Sequence, residues 1–318
     1  MIRLLLAALL TWFATAHAQP YPAKPVRIVV PFPPAGAADL LTRALGKKLN
    51  EAWDQPVIAD NRPGAGGNIG AEAVAKSAPD GYTLLMAAVT THAVSMSLYS
   101  KLGYDIEKDL VPVSLVANVP HILVANPSLP AKSLREVLAY LKAQGGKVNF
   151  ASQGNGTLSH LEFELMKSMG GFTANHVPYK GSAPAMVDLL AGNVMLLFDS
   201  IPSSLPHVRS GKLIGVAVAS SRRSPVLADL PTLSEAGLPG FTADSWFGIM
   251  VPAGTPRSIV AKLNADVMKA LDSAEVKEII TRQGGEVMGS TPEQMAAQTR
   301  GDREKWGKVV RDSGAKIE

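Results

Sequence analysis

Residues 25–39 read PVRIVVPFPPAGAAD, which is a β-branched strand, a turn rich in proline and glycine, and the start of a helix. The strand, Val26–Val30, is bounded by prolines and is typical of a buried strand. The prolines after it stiffen the turn, and Gly36 lets the backbone approach a ligand closely. Because a helix N-terminus carries unpaired N–H groups and a partial positive charge, this turn is a candidate anion site.

The strand–helix order of this segment repeats along the chain. Apolar residues at helical spacing predict a helix over 37–53, and the strand over 83–88 closes a first α/β unit. A second series of strands and helices follows, and a strand near 246–251 leads into the C-terminal helices. We therefore expect an α/β fold with parallel sheets and flanking helices. The predicted division is a signal peptide over 1–18, a first domain over 19–120 and 249–318, and a second domain over 121–248.

The N-terminus has the pattern of an export signal. Arg3 is followed by an apolar run over 4–13, and Ala16-His17-Ala18 places small residues at the two positions that a signal peptidase reads. We expect cleavage after Ala18; the alternative is an uncleaved membrane anchor. The chain has no cysteine, so it offers no thiol for a lipid anchor or a disulfide.

Composition excludes some classes of protein. The chain is 47% hydrophobic and 18% charged, which is globular, and about 300 mature residues suffice for two domains. The net charge of +4 is scattered, without basic runs and interleaved aromatics, so nucleic acid is not an expected partner.

A second candidate loop, Ser152–Thr157, also follows a strand and opens a helix. Gly154 and Gly156 partly imitate a dinucleotide-binding loop, but Ser159 stands where the third glycine is expected. An exported protein has little access to NAD, and a small anion cradled by hydroxyl and N–H groups fits the loop better. The sequence by itself does not choose among carboxylate, phosphate and sulfate.

Further polar and aromatic residues lie where other strands end. Lys180 could balance an anion, and Asp199 could order the site or cap the next turn. The candidate ligand-binding residues are Phe32, Ala35, Gly36, Ala37, Thr90, Thr91, Ser152, Gly156, Thr157, His160, Tyr179, Lys180, Gly181, Asp199 and Trp246.

Motifs for catalysis are absent from the sequence. There is no Gly-x-Ser-x-Gly elbow and no Walker phosphate loop, and the five mature histidines lack zinc-ligand spacing. We expect no catalytic residue, metal or cofactor. The competing hypothesis is an exported α/β hydrolase that uses His160 or Asp199.

The order of several motifs resembles the Bug, or tripartite tricarboxylate transporter receptor (TctC-like), family of periplasmic binding proteins, over essentially the whole mature chain. These motifs are Pro31-Phe32-x-x-x-Gly36-x-x-Asp39, Asn61-Arg62-Pro63-Gly64-Ala65-Gly66-Gly67, Pro79-Asp80-Gly81-Tyr82-Thr83-Leu84, Ser152-x-Gly154-x-Gly156-Thr157-x-Ser159-His160, Val177-Pro178-Tyr179-Lys180-Gly181 and Pro231-Thr232-x-x-Glu235-x-Gly237.

The resemblance implies a two-domain, type II-like Venus flytrap in the periplasm. It implies capture of a dicarboxylate, tricarboxylate, acidic amino acid or aromatic acid between two loops, here 31–39 and 152–160. It further implies a monomer that works with membrane subunits of a tripartite transporter. A periplasmic sensor that presents its ligand to a signalling receptor would share the same fold.

Two residues lead to specific expectations. The family's first loop commonly carries paired glycines, whereas Ala35 precedes Gly36 here, and alanine would be strained if position 35 takes a positive φ. Trp246 begins the strand near 246–251; it could close on an acid with a flat or hydrocarbon body, or pack between the domains.

Overall fold

The computed structural model describes residues 21–282 and 284–313, so the predicted signal peptide and its cleavage site lie outside the described residues. The strands are β1 (Val26–Val30), β2 (Val57–Asn61), β3 (Thr83–Ala88), β4 (Leu110–Asn118), β5 (His121–Ala125), β6 (Asn149–Ser152), β7 (Asn175–Pro178), β8 (Leu196–Ser200), β9 (Ile214–Val218), β10 (Trp246–Pro252) and β11 (Glu286–Val287).

The helices cover both sheets. They are α1 (Ala37–Trp53), α2 (Asn68–Ala75), α3 (Val89–Leu98), α4 (Leu134–Gln144), α5 (Leu158–Gly170), α6 (Ser182–Ala191), α7 (Ile201–Arg209), α8 (Leu233–Ala236), α9 (Arg257–Asp272), α10 (Ala274–Arg282) and α11 (Pro292–Ser313). In the part of the chain that the structure describes, no helix is both long and apolar enough to span a bilayer.

The strands form two mixed sheets, which corrects the prediction of parallel sheets. The first has the order β11-β4-β10-β3-β1-β2 and the second the order β7-β6-β8-β5-β9. Strand β10 runs antiparallel to β3 and β4, and β5 runs antiparallel to β8 and β9. These two strands arrive from the other sheet, so they lack the helical crossover that joins parallel neighbours.

The chain passes between the sheets twice. It leaves the first sheet after Asn118, enters the second at His121, and returns to the first at Trp246. Helices α9 and α10 then bury Leu263 and Ile280 against the first sheet. The chain thus connects the two sheets at two places, and the domain division that the sequence predicts stays a prediction.

Helix α1 forms where the apolar spacing predicts it. Leu41, Leu45 and Leu49 are buried on one face, whereas Ala52 at the end of the same pattern is exposed. Helix α3 was not predicted, because its residues are buried nearly all round and give no helical period. It packs with α11, which also packs with α5 of the second sheet, and the core that they share buries Val94, Leu161 and Trp306.

Candidate functional site

A cleft of about 530 Å³, its open mouth included, lies between the two sheets. It is formed where strands of both sheets end at their carboxyl edges, which is the usual place for a ligand in an α/β fold. Its walls are Phe32, Pro33, Pro34, Gly36, Ala37, Ala38, Ala88, Thr91, His121, Gln153, Leu158, Ser182, Ala183, Ser200, Ser245 and Phe247.

Five helices begin at this cleft. They are α1, α3, α5, α6 and α7, and none of their N-cap residues accepts a hydrogen bond through its side chain. Helices α4 and α8, which begin away from the cleft, each have a complete capping box, at Ser133 and at Thr232. The cleft therefore collects several helix N-termini whose positive ends their own N-cap side chains do not cover.

The N-termini of α1 and α6 offer free N–H groups on opposite walls of the cleft. The amides of Ala37 and Ala38 at the start of α1, and of Ser182 and Ala183 at the start of α6, have no hydrogen bond to any described residue. Ala37 and Ala38 are buried, and a buried N–H group requires an acceptor, whereas Ser182 is half-buried and Ala183 is exposed. Because α1 and α6 lie on opposite sheets, an anion between them could accept from both.

The walls of the cleft are almost free of charge. No lysine, arginine, aspartate or glutamate lies among the described residues that form them, and His121 is the one titratable side chain there. Its Nδ1 lies 2.7 Å from Oε2 of Glu162. Burial works against the charged form of His121, but the Glu162 carboxylate outweighs it and raises the pKa of His121. Any charge on the ring is thus balanced by its neighbour.

Hydrogen bonds to Asp39 fix the turn before α1 on the side away from the cleft. The carboxylate of Asp39 accepts hydrogen bonds from the Ala35 N–H at 3.0 Å, from Arg43 Nε at 3.0 Å and from Asn61 Nδ2 at 3.1 Å. The same Asn61 amide donates to the carbonyl of Phe32 at 3.0 Å. These bonds fix both ends of the turn that forms one wall.

Ala35 has a φ of +68°, so position 35 does require the left-handed region. Glycine adopts this region freely, whereas the Cβ of alanine makes it sterically unfavourable. The strain that the sequence suggested at Ala35 is therefore present in the structure.

Asp199 orders the opposite wall. Its buried carboxylate accepts from Ser182 Oγ and from Gln153 Nε2, each at 2.5 Å, and from the Ser200 N–H at 2.8 Å. Burial, the largest influence, raises the pKa of Asp199 in spite of these donors. Asp199 thus lies behind the wall and orients the residues that form it.

In the segment that the sequence predicts as the second half of the site, three successive N–H groups already have acceptors within the protein. The N–H groups of Gly156, Thr157 and Leu158 donate to His160 Nδ1, the Gly154 carbonyl and Thr91 Oγ1, each at 3.2 Å. The hydroxyl of Thr157 donates to the Gly154 carbonyl at 2.8 Å. These groups stabilise the loop, and α6 supplies the free donors opposite α1.

His160 and Ser152 lie outside the cleft wall. The ring of His160 stacks on His176 with 4.0 Å between centroids, and burial lowers the pKa of both rings, to about 3 for His176. Ser152 is fully buried, and its Oγ lies 2.6 Å from His176 Nε2. A nucleophile in that position would not be accessible to a substrate.

The predicted ligand residues therefore do not all lie in one place. Phe32, Gly36, Ala37 and Thr91 form the cleft wall. Gly156, Thr157, His160, Ser152 and Asp199 are buried behind it, Ala35 is exposed in the turn before α1, and Gly181 packs close to Pro33 at the edge of the cleft. Tyr179 and Lys180 lie at the mouth, and Trp246 lines a separate groove. The hydroxyl of Thr90 donates to Asp302 Oδ2 at 2.8 Å.

Other wall residues were not among the candidates. Ser182 and Ser200 each stand at the start of a helix directly after a strand or its short turn, so the pattern that identified residues 31–39 could have found them. His121, Ser245 and Phe247 lie where the chain passes between the sheets, and no local pattern identifies them.

Comparison with known proteins finds a family model and a relative that match most of the chain. The model of the tripartite tricarboxylate transporter family receptor matches residues 41–315. The protein BugT of Bordetella pertussis is 43% identical over 305 residues, which cover 96% of this chain and 94% of that protein.

Two solved structures from Rhodopseudomonas palustris share the fold. Rpa4515 with adipate has a TM-score of 0.89 and 37% identity, and the match covers 92% of this chain and 98% of that one. MatC with bound malate has a TM-score of 0.87 and 36% identity, over 91% of this chain and 100% of that one.

Proposed function

The chain belongs to the tripartite tricarboxylate transporter receptor family, and we propose that its cleft captures a small carboxylate for transporter subunits of this type. The family consists of periplasmic solute-binding receptors, and the similar structures with adipate and malate support a carboxylate ligand. Export to the periplasm through cleavage after Ala18, and action as a monomer, belong to the same proposal.

The observation that carries the proposal is the pair of helix starts with free N–H groups. Ala37 and Ala38 face the ligand space from one sheet, and Ser182 and Ala183 face it from the other. A carboxylate can accept several hydrogen bonds at once, and bonds to a charged acceptor are the stronger ones. Neutral donors and helix dipoles can hold such an anion without an opposing charge.

Substitution of Ala37 by proline tests this arrangement. Proline at the first position of a helix keeps the backbone geometry and deletes one N–H group. The preceding Gly36 has φ −83° and ψ 172°, which is compatible with a following proline. If the N–H of Ala37 binds the ligand, affinity for a carboxylate should fall about 10- to 100-fold, the equivalent of about 1.5–3 kcal/mol.

Arg257→Pro is the matched control, since Arg257 is the exposed first residue of α9 and lies outside the cleft. Isothermal titration calorimetry on residues 19–318 would use benzoate, succinate, citrate, phosphate and sulfate. Binding of carboxylates that Ala37→Pro alone weakens supports the proposal. Binding of phosphate or sulfate only, or no effect of Ala37→Pro, contradicts it, and consumption of any bound acid would favour the hydrolase.

A further inference from the structure

A second chamber lies at the mouth of the cleft. It contains about 790 Å³ of space, its opening included, and we call it the outer chamber. Its walls are Phe32, Pro63, Gly64, Ala65, Gly66, Gly67, Tyr99, Gln153, Gly154, Asn155, Pro178, Tyr179 and Lys180.

The outer chamber continues the cleft. Phe32 and Gln153 belong to the walls of both, one from each sheet, so the two spaces are adjacent and these side chains lie between them. On one side the chamber is closed by Tyr99, whose hydroxyl donates to the Asn155 carbonyl at 3.1 Å. A ligand that extends from the cleft into the outer chamber would therefore pass Phe32 and Gln153.

Lys180 gives the outer chamber its charge. Among the described residues that form the cleft and the outer chamber, it is the only lysine or arginine, and no aspartate or glutamate is present. Lys180 takes part in no ion pair with the described residues. An ammonium group without a partner, at the end of an otherwise uncharged passage, favours an anion beside it.

The backbone around Lys180 is anchored on both sides. The Tyr179 N–H donates to the Ser152 carbonyl at 3.1 Å, and the Tyr179 hydroxyl donates to Asp188. On the other side, Gly181 has a φ of +118° and lies so close to Pro33 that an added Cβ would come within 2.7 Å of it. Glycine at this position lets the Lys180 segment touch the opposite wall, which places the lysine at the mouth.

From this arrangement we propose that Lys180 is a specificity-determining residue that selects ligands with a second anionic group. The inference rests on the proposed function, because the first carboxylate occupies the helix starts of α1 and α6. The second group lies in the outer chamber beside Lys180, and the body of the ligand passes between Phe32 and Gln153. Acids of the same length with one carboxylate leave the lysine without a counter-charge.

The contribution of Lys180 is moderate because the side chain is exposed. Solvent screens such a pair, and an exposed ion pair contributes less than a buried one. We expect Lys180→Met to weaken binding of a dicarboxylate about five- to tenfold and to change binding of a matched monocarboxylate less than about twofold. Higher salt should weaken dicarboxylate binding to the wild type and have little effect on Lys180→Met.

The experiment compares two pairs of acids of equal length, adipate with hexanoate and succinate with butyrate. Calorimetry at two salt concentrations would use wild type, Lys180→Met, Lys180→Arg and Lys142→Met. Lys180→Arg keeps the charge and should retain the preference for dicarboxylates. Lys142, exposed near the end of α4 and outside both chambers, is the control for a lost surface charge.

The outcomes separate this inference from the proposed function. A loss confined to the dicarboxylates in Lys180→Met, recovered in Lys180→Arg, supports it. An equal effect on both acids of a pair, or none on either, overturns it while leaving carboxylate capture intact. If the wild type binds none of these four acids, and also none of the carboxylates benzoate, succinate and citrate, the proposed function fails. This inference then fails with it.

Discussion

Thr91 accepts a hydrogen bond from Leu158 across the cleft, with 3.2 Å between Oγ1 of the first and the backbone nitrogen of the second. Thr91 belongs to α3 beside the first sheet, and Leu158 begins α5 beside the second. Both atoms are buried, so this is one of the bonds that hold the walls of the cleft together. It uses a helix-start N–H that would otherwise be free for a ligand.

The substitution Thr91→Val should therefore favour a more open molecule. Valine has nearly the same shape but cannot accept the bond, which leaves the Leu158 N–H without a partner, at a cost of about 1–3 kcal/mol while the cleft stays closed. Small-angle X-ray scattering of the ligand-free variant should give a larger radius of gyration than wild type. Thr42→Val is the control, because Thr42 is buried within α1 and bonds only to Ala38. Equal radii for Thr91→Val and wild type would contradict the expectation.

Relief of strain at position 35 should stabilise the protein. Ala35 has a positive φ, and glycine would remove that steric cost, although it also adds freedom to the unfolded chain. The net expectation for Ala35→Gly is an increase of about 0.5–1 kcal/mol in the free energy of unfolding, measured with urea. Ala52→Gly, at an exposed position of α1, should instead lower it by about 0.5–1 kcal/mol. A decrease for both variants would show that the turn does not store strain at Ala35.

Asp39 should make stability depend on pH. Burial works to raise the pKa of Asp39, but the hydrogen bonds from Arg43, Ala35 and Asn61 outweigh it and hold this pKa below its ordinary value of 3.8. The carboxylate therefore stabilises the fold above pH 3.8, and this contribution is lost as the pH falls through the lowered pKa. Asp39→Asn should lower the free energy of unfolding by about 1–3 kcal/mol at pH 7.

The difference between wild type and Asp39→Asn should stay constant from pH 7 to pH 5 and decrease below about pH 4. Urea titrations at pH 7, 5, 4 and 3.5 would measure it. Asp229→Asn, at an exposed residue, provides the baseline for removal of a carboxylate. A difference that grows on acidification would mean that the pKa of Asp39 is raised in the fold.

Much of the fold can be predicted from local patterns. The segment 26–53 folds as its β-branched run and helical spacing indicate, and β3 begins and ends at the predicted residues Thr83 and Ala88. The direction of β5 and β10 could not be predicted, because it depends on which sheet each strand joins after the chain passes between them. Helix α3 was missed because a helix buried on nearly all sides has no amphipathic pattern.

The sequence predicts the type of site, an anion site at helix starts, but not which helix starts keep free N–H groups. Local sequence identified the turn before α1, and the structure places Gly36 and Ala37 in the cleft wall. It also nominated the loop before α5, whose N–H groups bond within the loop and to Thr91. Which of two glycine-bearing loops keeps free donors depends on partners far away in sequence. The local pattern could have found Ser182 at the start of α6, but it could not show that the N–H groups there stay free.

Neighbouring aromatic residues of β10 should differ in their effect on binding. Side chains alternate along a strand, and Phe247 lines the cleft whereas Trp246 lines a groove on the other side with Asn118 and Asp244. The sequence left open whether Trp246 closes on a flat acid or packs between the domains; because Phe247 lines the cleft, we expect Phe247 to be the aromatic neighbour of a ligand. Phe247→Leu should weaken binding of a carboxylate about three- to tenfold through lost contact, and Trp246→Leu should change it less than about twofold.

Calorimetry with benzoate and succinate on both variants would test this, because Phe247→Leu should affect the aromatic acid more. A larger effect of Trp246→Leu than of Phe247→Leu would mean that the bound ligand reaches the groove beside Asp244, and that the cleft is not the whole site.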